Sequence, residues 1–105
     1  MTDTVLLCYC SCPDADSAHR LAQVLVGEGL AACVNHLPGV RSIYRWKGEV
    51  VTDSEELLLI KTTEARFAAL KARLLALHPY ELPELVAVPV ALGHEAYLDW
   101  VRGAG

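Results

Sequence analysis

The chain has 105 residues, 53 % of them apolar, with four cysteines and a net charge of −4. That length fits one domain over residues 1–105. The acidic balance speaks against a nucleic-acid partner, which needs a basic face, and no apolar run approaches the ~18 residues of a membrane span. The start, Met1-Thr2-Asp3-Thr4, lacks the basic residues of a secretion signal. Cys8, Cys10 and Cys12 are too close in sequence to staple a fold. Both features predict a cytoplasmic protein with free thiols.

Thr4 to Cys10 is an apolar run that reads as a first strand, with Ser11-Cys12-Pro13-Asp14 as the turn after it. Asp16 or Ser17 caps the helix that follows. Ala18, Leu21, Ala22 and Leu25 recur at helical spacing, and Gly29 closes the helix. Leu30 to Leu37 reads as a second strand, interrupted at Pro38-Gly39 and resumed from Val40 to Trp46. Lys47-Gly48 makes a tight turn. Glu49 to Thr52 returns, and after a charged break Leu57-Leu58-Leu59-Ile60 completes the third strand. Thr63 caps a second helix whose apolar stripe is Phe67, Leu70, Leu74 and Leu77. Leu85 to Val90 is the fourth strand, and Pro89 sends it to an edge because proline cannot donate a ladder hydrogen bond. Tyr97, Trp100 and Val101 form one face of a short last helix ended by Gly103.

The order β-α-β-β-α-β plus a terminal helix predicts an α+β, ferredoxin-like βαββαβ sandwich: an antiparallel sheet, a long hairpin between the second and third strands, and a short C-terminal helix. The first and third strands then lie in the middle. Both are apolar without alternation, which predicts burial on both faces, whereas two helices cover only one. A second copy of the chain is the economical cover for the other face.

Between the second helix and the fourth strand lies His78-Pro79-Tyr80-Glu81-Leu82-Pro83-Glu84. Two prolines stiffen a stretch that carries an imidazole, a phenol and two carboxylates. Polar connectors of this kind are frequent addresses for sites. Glu81 and Glu84 suit a hard cation or an ion pair with Lys61. No glycine-rich phosphate loop and no serine elbow appears, and no enzyme is expected.

The segments Leu30-Ala31-Ala32-Cys33-Val34-Asn35, Pro38-Gly39 and Ser42-Ile43-Tyr44-Arg45-Trp46-Lys47-Gly48 resemble the centre of the CutA family, the divalent-cation tolerance proteins. Cys12-Pro13-Asp14, Ile60-Lys61-Thr62, His78-Pro79-Tyr80-Glu81 with Pro83-Glu84, and Tyr97-Leu98-Asp99-Trp100 are similar to its other blocks, in the same order. The resemblance implies a tight cytoplasmic homotrimer of ferredoxin-like subunits, linked to tolerance of copper and other divalent metals, with no defined reaction. It also implies a metal site at Cys10 and His78, with Leu77 standing where the family has a second histidine.

A thiolate and an imidazole suit copper or zinc. Cys8 shares the face of Cys10 by alternation, and Cys12 joins them if the strand continues. Cys33 and Glu81 are further candidate ligands, although a buried small residue explains Cys33 as well. Tyr44, Trp46, Lys61, Tyr80, Glu84, Tyr97 and Trp100 are expected at a cleft between subunits. The alternative function is a PII-like trimeric signalling or scaffold protein that takes a small anionic metabolite or a protein partner there. His19, His36 and His94 are expected at the surface without partners.

Overall fold

A computed structural model describes residues 3–104. The elements in chain order are β1 (Val5–Cys12), α1 (Ala15–Gly27), β2 (Cys33–Trp46), β3 (Glu49–Thr63), α2 (Glu64–Leu77), β4 (Val86–Pro89) and α3 (Glu95–Gly103). The sheet order is β2-β3-β1-β4, with every neighbouring pair antiparallel. The apolar strands β1 and β3 are central and the proline-bearing β4 is an edge, as the sequence predicts. The α+β, ferredoxin-like class stands.

One face of the sheet is closed. Cys8, Cys10, Cys12, Leu58 and Ile60 point into a core with Leu21 and Leu25 of α1 and Leu70 and Leu74 of α2. The other face is closed only at one end, where Leu98 and Val101 of α3 pack on Val5 and Ala32. Leu7, Tyr9, Leu57 and Leu59 lie along the rest of it, only half-buried. They are flanked by Leu37, Val86 and Val88, which are exposed.

Several local expectations are corrected. β1 runs through Ser11 to Cys12, because both residues pair with β3 opposite Leu57 and Glu56. The cap of α1 is Asp14, whose carboxylate accepts the Ser17 amide at 2.8 Å. Leu30 to Ala32 is not strand but the exit of α1. Gly29 there adopts φ 72°, which favours glycine. The Leu30 amide returns to the Leu25 carbonyl and the Gly29 amide to Val26, a Schellman closure. β3 has no charged break: Asp53, Ser54 and Glu55 pair with β2 throughout the hairpin arm. In α3 the buried face is Leu98 and Val101, while Tyr97 and Trp100 stack on each other outside at 5.7 Å. Leu77 leaves the α2 stripe and is 41 % exposed.

Candidate functional site

The continuation of β1 decides the chemistry at its end. Alternation places Cys8, Cys10 and Cys12 on the helix-covered face, all fully buried. Pro79 ends α2 at Leu77 and turns His78 to extended backbone (ψ 136°). The imidazole, itself buried, thereby reaches the end of β1. Cys10, Cys12 and His78 each bring a ligand atom within 4.8 Å of the others, and Cys12 Sγ is 3.8 Å from His78 Nε2. Donors around one copper or zinc ion stand roughly 3.5–4 Å apart. The cluster fits a soft ion after a small contraction.

Two further bonds fix the imidazole. The Tyr80 amide donates to Nδ1 at 3.1 Å, so Nδ1 accepts. Nε2 is 2.8 Å from the Ser11 carbonyl, which only accepts, so Nε2 carries the proton. A metal ion at Nε2 therefore displaces the bond to Ser11. The thiols are unequal. Cys10 is held well above the usual thiol range by its hydrogen bond to Cys12 and by burial, whereas Cys12 is lowered by that same bond. Cys12 is the first of the two to offer a thiolate, the form that binds metal. Burial alone pushes Cys8 up to about 11.

A groove of about 430 Å³, lined by Ser17, Arg20, Leu21, Val24, Leu77 and Pro79, reaches His78. Leu77 thus lines the groove, outside the cluster.

The remaining candidates fall elsewhere. Cys8 shares the thiol face but stays outside the cluster. Cys33 lies on the opposite face, across the ladder from Lys61, with Lys61 Nζ 3.9 Å from its sulfur. Lys61 donates to Asn35 Oδ1 at 2.6 Å and stands over the Tyr97 ring, so it forms no ion pair with Glu81 or Glu84. Glu84 instead accepts from Ser11 Oγ at 3.3 Å. His36 has a partner after all, Glu56, at 2.9 Å. His19 and His94 are exposed.

The residues expected at one cleft form two groups. Tyr44, Trp46, Tyr80 and Glu84 line a cleft of about 600 Å³ together with Ser11, Glu55 and Glu81. Lys61, Tyr97 and Trp100 belong to the α3 end of the open face. Glu55 is the residue that sequence reasoning missed. It stands in the charged stretch read as a break, yet it is 6 % exposed and accepts the Tyr80 hydroxyl at 2.5 Å. Burial and that bond raise the Tyr80 phenol above its usual range.

The profile of the CutA1 divalent ion tolerance proteins matches residues 6–104. This chain belongs to that family. It is 54 % identical over 102 residues to the divalent-cation tolerance protein CutA of Thermus thermophilus, covering 97 % of this chain and 96 % of that protein. It is 42 % identical over 99 residues to human CutA, covering 94 % of this chain and 56 % of that protein. The chain thus spans about half the length of that relative. The solved Thermus thermophilus CutA1 structure superposes with a TM-score of 0.90 at 52 % identity, covering 98 % of each chain. The Oryza sativa CutA1 structure gives 0.94 at 42 % identity, covering 98 % of this chain and 94 % of that one. The CutA family is named for tolerance of divalent ions, not for a reaction, and a thiol–imidazole cluster is chemistry of that kind.

Proposed function

We propose that this CutA-family chain acts in divalent-ion tolerance by taking a soft ion, copper foremost, into the Cys10–Cys12–His78 cluster. The observation that carries the reading is the convergence of two thiols and an imidazole within 4.8 Å at the end of one strand. Soft sulfur donors with one imidazole favour copper or zinc over hard ions. The ion is cargo or signal rather than a resident cofactor. Cys12 supplies the first thiolate, Cys10 gives up its proton only on binding, and uptake releases protons. Competition against a copper(I) chelator tests this. One ion should bind per chain, and Cys12→Ser or the pair Cys10→Ser/His78→Ala should weaken binding at least ~10-fold. Affinity equal to wild type in the double variant overturns the site.

The same reading includes a cytoplasmic homotrimer. Its support is the half-covered face around Leu7, Tyr9, Leu57 and Leu59, which a neighbouring copy would bury. Four free cysteines suit a reducing compartment.

A further inference from the structure

The hydrogen bonds of His78 oppose its use as a ligand. Its Nε2 lies 3.8 Å from Cys12 Sγ and is the ring atom turned toward the thiols. That same atom carries the ring proton and donates it to the Ser11 carbonyl at 2.8 Å. Nδ1 carries the lone pair and accepts the Tyr80 amide at 3.1 Å. A ligating histidine ordinarily shows the reverse: a lone pair toward the ion, and an N–H on the other nitrogen given to an acceptor. The residue is more than nine-tenths buried, so neither bond is given up to water without cost.

A neutral imidazole has one proton for its two nitrogens. Once Nε2 gives its lone pair to an ion, that proton must stand on Nδ1, which then meets the Tyr80 N–H as one donor against another. Two bonds go together: the Ser11 carbonyl loses its donor and the Tyr80 amide its acceptor. The ring loses one proton and regains one, so the protons released on uptake come from the thiols. Tyr80 carries the change onward. Its ring stands 4.9 Å from the imidazole, and its hydroxyl donates to Glu55 of β3, which pairs with Val40 in the hairpin. Resting on the metal reading above, we propose that ion binding shifts the His78 proton from Nε2 to Nδ1 and frees the Tyr80 amide, so that the turn at residues 78–80 reports occupancy of the cluster to the β2–β3 hairpin. The ion is then a signal with a defined output.

Long-range proton–nitrogen NMR of the His78 ring during titration with copper(I), a diamagnetic ion, tests this. Metal-free protein should show the Nε2–H tautomer. With one ion per chain the ring should show Nδ1–H, and the Tyr80 amide should exchange with solvent at least ~10-fold faster. The Ser17 amide, held by Asp14, should exchange as before. Tyr80→Phe should keep the tautomer shift but remove the response of the Glu55 and Val40 resonances. Cys12→Ser should keep the metal-free tautomer and need more copper for the shift. An Nδ1–H ring in metal-free protein would overturn the proposal, as would a Tyr80→Phe variant whose Glu55 and Val40 resonances respond like wild type. Copper bound with the Nε2–H tautomer and the Tyr80 protection intact would overturn it alone, leaving an ion held by the thiols. Absence of copper binding in chelator competition would overturn it together with the metal reading.

Discussion

Asp3 caps a helix from which it is separated by 62 positions. Its Oδ1 accepts the Ala65 amide at 3.0 Å, and the neighbouring Thr4 carbonyl accepts the Glu64 amide at 2.8 Å. The first turn of α2 is thus satisfied from the start of the chain. Thr63, which the local pattern assigns to that task, occupies the cap position with its hydroxyl buried and unpartnered. The two residues should therefore respond in reverse of the sequence expectation. Asp3→Ala should cost about 1 kcal/mol in urea unfolding. Thr63→Val should be neutral or stabilise by up to ~1 kcal/mol, since it removes a buried polar group with no partner. A Thr63→Val loss as large as that of Asp3→Ala would return the cap to Thr63. No sequence window contains this exchange, because the donor and its acceptor meet only through the register that sets Val5 opposite Thr63.

At the scale of the element, the β2–β3 hairpin shows what a pattern of apolar residues conveys and where it stops. The turn was legible in Lys47-Gly48, and both residues take positive φ, 49° and 83°, as a two-residue I′ connection requires. The apolar centre of β3 was legible too, because buried strands read as apolar runs. Asp53 to Glu56 was not, since a ladder of backbone bonds needs no apolar side chain. The cleft was half legible for the same reason: Tyr44 and Trp46 alternate visibly, while Glu55 looks like any exposed charge. Leu30 to Ala32 misled in the opposite sense, being apolar because it seals a helix exit. The irregularity between Leu37 and Val40 is braced by Glu56. One of its oxygens accepts the Gly39 amide at 3.1 Å and the other meets His36 at 2.9 Å. Those bonds, the Gly39 amide foremost, lower the Glu56 carboxyl below its ordinary 4.5. A carboxyl lowered on folding contributes stability that is complete above its unfolded value and lost as pH falls through the folded one. Melting temperatures of wild type and Glu56→Gln should therefore differ near pH 7 and converge as the pH falls below 4.5. Curves that stay parallel would show that the brace carries no charge-dependent stability.

At the scale of the whole molecule, the chain is more open than its mass requires. A monomer of 11.4 kDa exposes roughly 5,800 Å² when compact, whereas this chain exposes 6432 Å². Its radius of gyration is 14.3 Å, against roughly 13 Å for a compact domain of this length. The hairpin arm and the half-covered sheet face are both open to solvent. On that face Val86 and Val88 of the edge strand are 52 % and 46 % exposed, beside Tyr9 and Leu7. An exposed edge with apolar side chains invites association unless it is already used. Val88→Glu separates the two cases. In an isolated chain a half-exposed position tolerates the change within about 0.5 kcal/mol. In an assembly closed over this face it places a carboxylate in each buried contact, and removing that charge from water costs far more than the contact returns. Sedimentation at micromolar concentration should find wild type as a trimer and Val88→Glu shifted to monomer, with the same far-ultraviolet dichroism. A monomeric wild type, or a variant trimer of unchanged stability, would mean that this face meets solvent and that the surplus of apolar residues serves something other than assembly.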